Sequence, residues 1–158
     1  MKRRSLLSAL VVGTCTLASG TAVAGEAEDY AAVKDASHEF YRALEILDDG
    51  TAMAGVWVHA PYVTMVGPRS KDIVTGWDAV AGYWKASNAK FKVRHANVVE
   101  ARIHVNGNVA WEVGREKGDV VMADDSKRDN DWVVTNIYER QADGKWLMAS
   151  HHVQPGAP

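Results

Sequence analysis

Two adjacent histidines, His151 and His152, close the apolar run "KWLMASHHVQP" near the end of this 158-residue chain. An imidazole can serve as base, acid or metal ligand near neutral pH. Side chains alternate along a strand, so neighbours in a regular strand point to opposite faces. The pair therefore cannot grip one metal, and a bulge near the strand end decides which ring faces a pocket. The plainer alternative for each is a hydrogen-bonded histidine at a sheet end. In "WVVTNIYERQ", Trp132, Val134, Asn136 and Tyr138 share one face, and Val133, Thr135 and Ile137 the other. In "VAWEVGREKG", Trp111, Val113 and Arg115 lie opposite Glu112. Trp111 either walls a pocket or packs a core; Arg115 either receives a carboxylate or lies on the surface, as most arginines do. Tyr62, Trp84 and Trp132 join them as candidate ligand-lining residues. His95 and His104 read as structural or exposed, and His38 and His59 have no spacing that suggests a site. No His-x-His and no carboxylate pair with metal spacing stands out, so neither metal nor cofactor is expected. No serine, cysteine or lysine nucleophile has an evident partner.

The elements that must position these residues follow from periodicity. "GEAEDYAAVKDASHEFYRALEILDDG" reads as one amphipathic helix, with Val33, Phe40, Leu44 and Leu47 at helical spacing and Tyr30 and Ser37 near that face. Its acidic first turn suits the helix dipole, and Gly50 after Asp48 and Asp49 is a stop. "TAMAGVW" is a candidate short helix from Thr51. "HAPYVTMVGP" and "SKDIVTG" read as strands, and "WDAVAGYWKASNAKF" as a third helix. The remainder is sheet: one long strand over "FKVRHANVVEARIHV", a tight "NGN" turn, the strand "VAWEVGREKGDVVM", a polar loop "ADDSKRDND", then "WVVTNIYERQ", the turn "ADGK" and "WLMASHHVQ". Helices first, then antiparallel strands, make an α+β fold with helices gathered on one face of a curved sheet.

The first 24 residues read as a secretory leader: basic "MKRR", the apolar "SLLSALVVGTCTLA" and small residues in "AVA" before the polar "GEAED". The predicted mature N-terminus is Gly25, with one domain over residues 25–158 and a periplasmic or secreted location. Arg3-Arg4 also suits a twin-arginine signal, but the general secretory route is favoured. A lipoprotein box at Cys15 is poor, since Thr14 precedes it. Loss of Lys2, Arg3 and Arg4 leaves 15 basic against 20 acidic residues, a net charge of −5. That balance argues against a nucleic-acid partner, and no membrane association is expected once the leader is gone. The only cysteine, Cys15, leaves with the leader, so the exported chain relies on its core without a disulfide. Six tryptophans are many for this length and suit either a packed sheet or a lined cavity.

Three stretches, "VTGWDAVAGYW", "VNGNVAWEVG" and "VVTNIYERQADGKWLMASHHV", resemble the SnoaL-like branch of the nuclear transport factor 2-like superfamily. The matching positions are Gly76, Ala79, Tyr83 and Trp84; Gly107 and Ala110; then Asp143, Gly144, Trp146 and His152. The tail also resembles the end of the association domain of calcium/calmodulin-dependent kinase II. The resemblance implies a cone, a bent antiparallel sheet wrapped round the three helices of the N-terminal side with a central pocket, and a homodimer built on the outer sheet face. Apolar residues on both faces of "WVVTNIY" agree, because both faces then need cover. Alignment with ketosteroid isomerase places Asn136 at a pocket hydrogen-bond donor, where an amide can hold a carbonyl or an oxyanion. It places Met65 at that enzyme's general-base aspartate and Phe40 at its pocket tyrosine, so no carboxylate base is expected in the mouth. The resulting expectation is an exported binding protein for an apolar or aromatic small molecule. The alternatives are an isomerase, dehydratase or cyclase using His151 or His152 as base with Asn136 or Tyr138 at an oxyanion, and a dimerisation or assembly module.

Overall fold

The computed structural model describes residues 19–156. Helix α1 (Ser19–Glu45) is followed by α2 (Thr51–Ala54), β1 (Thr64–Val66), β2 (Val74–Thr75) and α3 (Trp77–Asn88). Then come β3 (Phe91–Arg94), β4 (Asn97–Asn106), β5 (Val109–Met122), β6 (Lys127–Arg140) and β7 (Trp146–Pro155). The first 18 residues of the expected leader, Cys15 among them, lie outside the described residues. Its last six open α1, so the acidic residues near Gly25 are not the helix's first turn. No helix among the described residues is long and apolar enough to cross a membrane.

The strands form one curled sheet in the order β2-β1-β7-β6-β5-β3, with β4 also paired to β5. Among the described strands β1 runs parallel to its neighbour β7, where an isolated parallel bridge also joins Trp57 to Met148, and the other strand pairs are antiparallel. α1 and α3 fill the concave side. Val33, Ser37, Phe40, Tyr41 and Leu44 of α1 are buried there with Val80 and Trp84 of α3, whereas Tyr30 is exposed. Asp48 ends the α1 segment by accepting from the Gly50 and Ala52 amides at 2.8 Å each, which starts α2.

Two expectations about the strands are corrected. The "FKVRHANVVEARIHV" segment is two strands, because the chain steps off β5 at His95 and Ala96. Gly118 permits the step: a Cβ there would lie 1.8 Å from the His95 carbonyl oxygen. Gly114 likewise admits the bulge between Val99 and Arg102, with Ala101 Cα 3.3 Å from its would-be Cβ. The expected polar loop at 123–131 is mostly strand: β6 begins at Lys127 and pairs back to Val121. Its polar side chains sit on an exposed arm of the β5–β6 hairpin, where composition mimics a loop.

Gly118→Ala is expected to destabilise the fold by at least about 2 kcal/mol, since backbone rather than a flexible side chain must give way. Gly107→Ala, in the open "NGN" turn at φ 61°, should cost about 1 kcal/mol for the left-handed backbone alone. Urea unfolding of both variants checks the difference; equal losses would contradict this account of the β3–β4 break.

Candidate active site

The inner face of the sheet is more polar than its outer face at one place. On β5 the buried positions are Ala110, Glu112, Gly114, Glu116 and Val120, while Trp111 and Val113 are exposed. Cross-strand register carries this face across the sheet: Glu112 opposes Asn136, Ala110 opposes Tyr138, and Asn136 opposes His151. Glu112, Asn136, Tyr138 and His151 are each at most 2 % exposed. The β6 face of Trp132, Val134, Asn136 and Tyr138 thus lies inward, and the expected β5 face of Trp111, Val113 and Arg115 lies outward.

A bulge decides between the histidines. Register on β7 shifts between Ile137 and Tyr138 of the partner strand, leaving Ala149 as the extra residue. Trp146 and Met148 face in before it; His151 and Val153 face in after it. His152, the residue matching the family motif, points out and is exposed.

The buried polar groups form one hydrogen-bonded chain. Ser37 Oγ donates to both Glu112 carboxyl oxygens at 3.1 and 2.9 Å, and Tyr138 donates to Oε2 at 3.1 Å. Asn136 Nδ2 donates to the same oxygen at 2.9 Å. That contact turns Asn136 Oδ1 towards His151 Nδ1, 2.7 Å away. A carbonyl oxygen can only accept, so the ring proton sits on Nδ1 and the Nε2 lone pair is free. Nε2 lies 3.9 Å from Glu116 Oε2, which also accepts from Tyr41 OH at 3.2 Å.

Burial sets the protonation of the pair. It raises the Glu116 carboxyl to about 7, against smaller lowering effects of the Tyr41 hydrogen bond and Arg94. It lowers His151 to about 3, helped by the neighbouring His152. Below about pH 7 the approach of Glu116 to His151 is therefore a contact between a neutral acid and a neutral imidazole, not an ion pair. Burial, with Glu116 adding, also pushes Tyr41 up, so its hydroxyl stays a donor.

Glu116 and His151 lie at a cavity of about 310 Å³. Met65, Trp84, Trp132 and Val153 supply apolar walls, and Arg94 lines it too. The Trp84 indole N–H, although buried, has no hydrogen-bond partner among the described residues. Of the sequence-derived candidates, Trp84, Trp132 and His151 line the cavity, and Asn136 and Tyr138 stand behind it as positioning residues. Three others are corrected by position. Trp111 is 40 % exposed and packs on His104. Arg115 points outward and pairs with Asp131. Tyr62 is exposed and donates to Glu139 at 2.6 Å. Met65 fills its expected place in the wall, and Glu116 brings a carboxyl to the same cavity from β5. Glu116 does not stand out in the sequence because it lies between Arg115 and Lys117, in a charged run that reads as surface. The hydrogen-bonding face of β6 held the signal, since antiparallel partners share a face.

A family model described as a SnoaL-like domain matches residues 33–156. The chain belongs to the SnoaL-like family. No curated protein matches it. Solved structures similar to this SnoaL-like chain share its fold at low identity. One is a candidate dehydratase of the nuclear transport factor 2-like family from Streptomyces avermitilis, at 21 % identity and TM-score 0.75, covering 84 % of this chain and 99 % of that one. Another is a nuclear transport factor 2-like superfamily protein from Salmonella enterica serovar Typhimurium, at 16 % and 0.72, covering 87 % and 94 %. A third is a candidate aromatic ring hydroxylase from Novosphingobium aromaticivorans, at 14 % and 0.74, covering 84 % and 92 %.

The two shifted groups of this SnoaL-like site oppose each other in stability. Glu116, raised from 4.5 to about 7 on folding, contributes stability that is complete below about pH 4.5 and lost as pH rises through about 7. His151, lowered from 6.5 to about 3, contributes stability that is present above about pH 6.5 and lost as pH falls through about 3. Between about pH 4.5 and 6.5 the slopes cancel, each being at most about 1.4 kcal/mol per pH unit. Relative to the parent protein, Glu116→Gln should grow more stable with rising pH in that window. His151→Phe should grow less stable. Denaturant midpoints across the window check both signs; parallel profiles for all three proteins would contradict the assignment.

Proposed function

We propose that the protein is an enzyme that moves a proton on a small, largely apolar substrate, with Glu116 taking and returning it. The observation that carries this reading is a buried carboxyl, raised to about 7, beside a neutral imidazole at the end of a cavity. A general acid–base group works best when its pKa lies near the working pH. Glu116 meets that condition and His151 does not, since burial lowers the ring to about 3. Ionised Glu116 removes a proton from the carbon beside a carbonyl. The electron pair moves onto the carbonyl oxygen. Protonated Glu116 then returns the proton to another carbon, an isomerisation, or to a departing hydroxyl, a dehydration. His151 Nε2 accepts a hydrogen bond from the substrate or from the protonated carboxyl.

Members of the SnoaL-like fold are often isomerases or dehydratases, and the similarity to a candidate dehydratase supports the same class. The cavity volume, at the small end of ligand pockets (roughly 300–1,000 Å³), suits a compact substrate. Met65 favours a second reading, binding without turnover, because an apolar side chain fills the wall where ketosteroid isomerase keeps its base. Export is also part of the proposal, supported by the leader pattern. So is a homodimer on the outer sheet face, supported by exposed Val109, Trp111 and Val113.

Deuterium incorporation from heavy water into small enones and β-hydroxy carbonyl compounds, followed by nuclear magnetic resonance, tests this. Glu116→Gln should slow exchange by about 10²–10⁴-fold while the protein stays folded. Exchange at the parental rate in that variant would overturn the role of Glu116. Ligand binding by the parent protein with no exchange would select the second reading.

A further inference from the structure

Arg94 has no role in proton transfer, yet it is a charged side chain only 7 % exposed. Its Nε donates to the Leu44 carbonyl at 2.6 Å, and Nη2 donates to Asn88 Oδ1 at 2.6 Å. The guanidinium lies 5.1 Å over the Phe91 ring. All three partners are neutral, and among the described residues no carboxylate pairs with Arg94 within 4.0 Å. Burial lowers it to about 10, which still leaves it charged at neutral pH. Its second terminal nitrogen, Nη1, makes no hydrogen bond to protein among the described residues, and the side chain lines the cavity. Glu116 is the one acid whose charge reaches it, from beyond 4.0 Å, and that carboxyl is itself largely neutral below about pH 7. A buried cation with so little counter-charge is expensive, so such groups usually have a closer one.

The charged side chains of the cavity lining are nearly all cations. It holds Arg69, Lys90, Arg94 and Arg128 against one acid, Glu116, in a chain whose formal net charge is −2. Arg69, Lys90 and Arg128 are exposed and form no ion pair among the described residues; Asp124 feels Arg128 only at longer range. A cleft of one sign draws ligands of the other. Its walls are otherwise apolar, with Trp132, Val120 and Met122 among them.

We propose that Arg94 anchors a carboxylate of the ligand, so that the substrate class is a small organic acid with an apolar or aromatic body. This rests on the proton-transfer reading for where the rest of the substrate lies. A carboxylate suits the place better than a phosphate. The free edge of one guanidinium satisfies a single negative charge, and the dry wall around it would leave a second charge unmatched. The exposed cations at the mouth guide the acid inward, and Arg94 holds it. Asn88 and the Leu44 carbonyl fix the guanidinium plane beforehand, which reduces the ordering needed on binding.

Calorimetric titration with trans-cinnamate and with its uncharged analogue cinnamamide tests the assignment. At about pH 6 Glu116 is largely protonated and a free carboxylate is ionised. The parent protein should bind the acid roughly tenfold or more tightly than the amide. Arg94→Gln should bind the two within about twofold of each other, and the double variant Lys90→Gln/Arg128→Gln should keep most of the preference. Equal affinities in the parent, no binding of either probe, or a preference intact in folded Arg94→Gln would each overturn the proposal. So would loss of the preference in the double variant, which would place the anion at the mouth. The parental comparison needs no variant to fold. It also reads binding without turnover, so failure of the exchange experiment with Glu116→Gln leaves it independent.

Discussion

Asn136 cannot turn its amide without breaking two buried hydrogen bonds, one to Glu112 and one to His151. That constraint organises the interior. Glu112 accepts from Ser37 of α1, Asn136 and Tyr138 of β6, and so ties the first helix to the centre of the sheet. The fixed amide then fixes the His151 tautomer, and the tautomer presents a lone pair, rather than a proton, towards Glu116. Buried polar networks are worth having only when every member is satisfied. Here Glu112 is fully occupied by donors, whereas Glu116 has Tyr41 and a neutral ring and faces the cavity. The two acids lie on one strand face four residues apart, yet one positions and the other is left available for chemistry.

The same asymmetry explains how a SnoaL-like cone with Met65 in its wall can still hold a carboxyl poised near neutrality. A carboxyl gains its high pKa from removal of water, not from any special partner. The packing of Phe40 and Trp84 around His151, with ring centroids 5.0 and 6.1 Å away, supplies that dryness. Those aromatic residues come from α1 and α3, so the helices serve the site mainly as a lid over the sheet's polar patch.

Much of this was legible in the sequence. The α+β order, the third helix, the "NGN" hairpin and the inward face of β6 follow from periodicity and turn chemistry. The resemblance carried by "VVTNIYERQADGKWLMASHHV" led to the family that the matched residues 33–156 show. Three features were hidden for physical reasons. Glu112 and Glu116 alternate with Trp111, Val113 and Arg115, and hydrophobicity alone assigns the tryptophan to the interior. The Ala149 bulge inverts the phase of β7, so counting from Trp146 selects His152 instead of His151. Gly118 breaks a strand through a backbone contact that no property of residues 91–106 announces.

Everything proposed for the site depends on Glu116 titrating at about pH 7 beside an uncharged His151. Carbon-13 nuclear magnetic resonance of the glutamate side-chain carboxyls, with Glu116 assigned by comparison with Glu116→Gln, measures this directly. The expected result is a titration midpoint of about 7 for Glu116, with the His151 ring neutral and protonated on Nδ1 down to about pH 3. A Glu116 midpoint in the ordinary carboxylate range, together with a charged His151 ring at neutral pH, would contradict it.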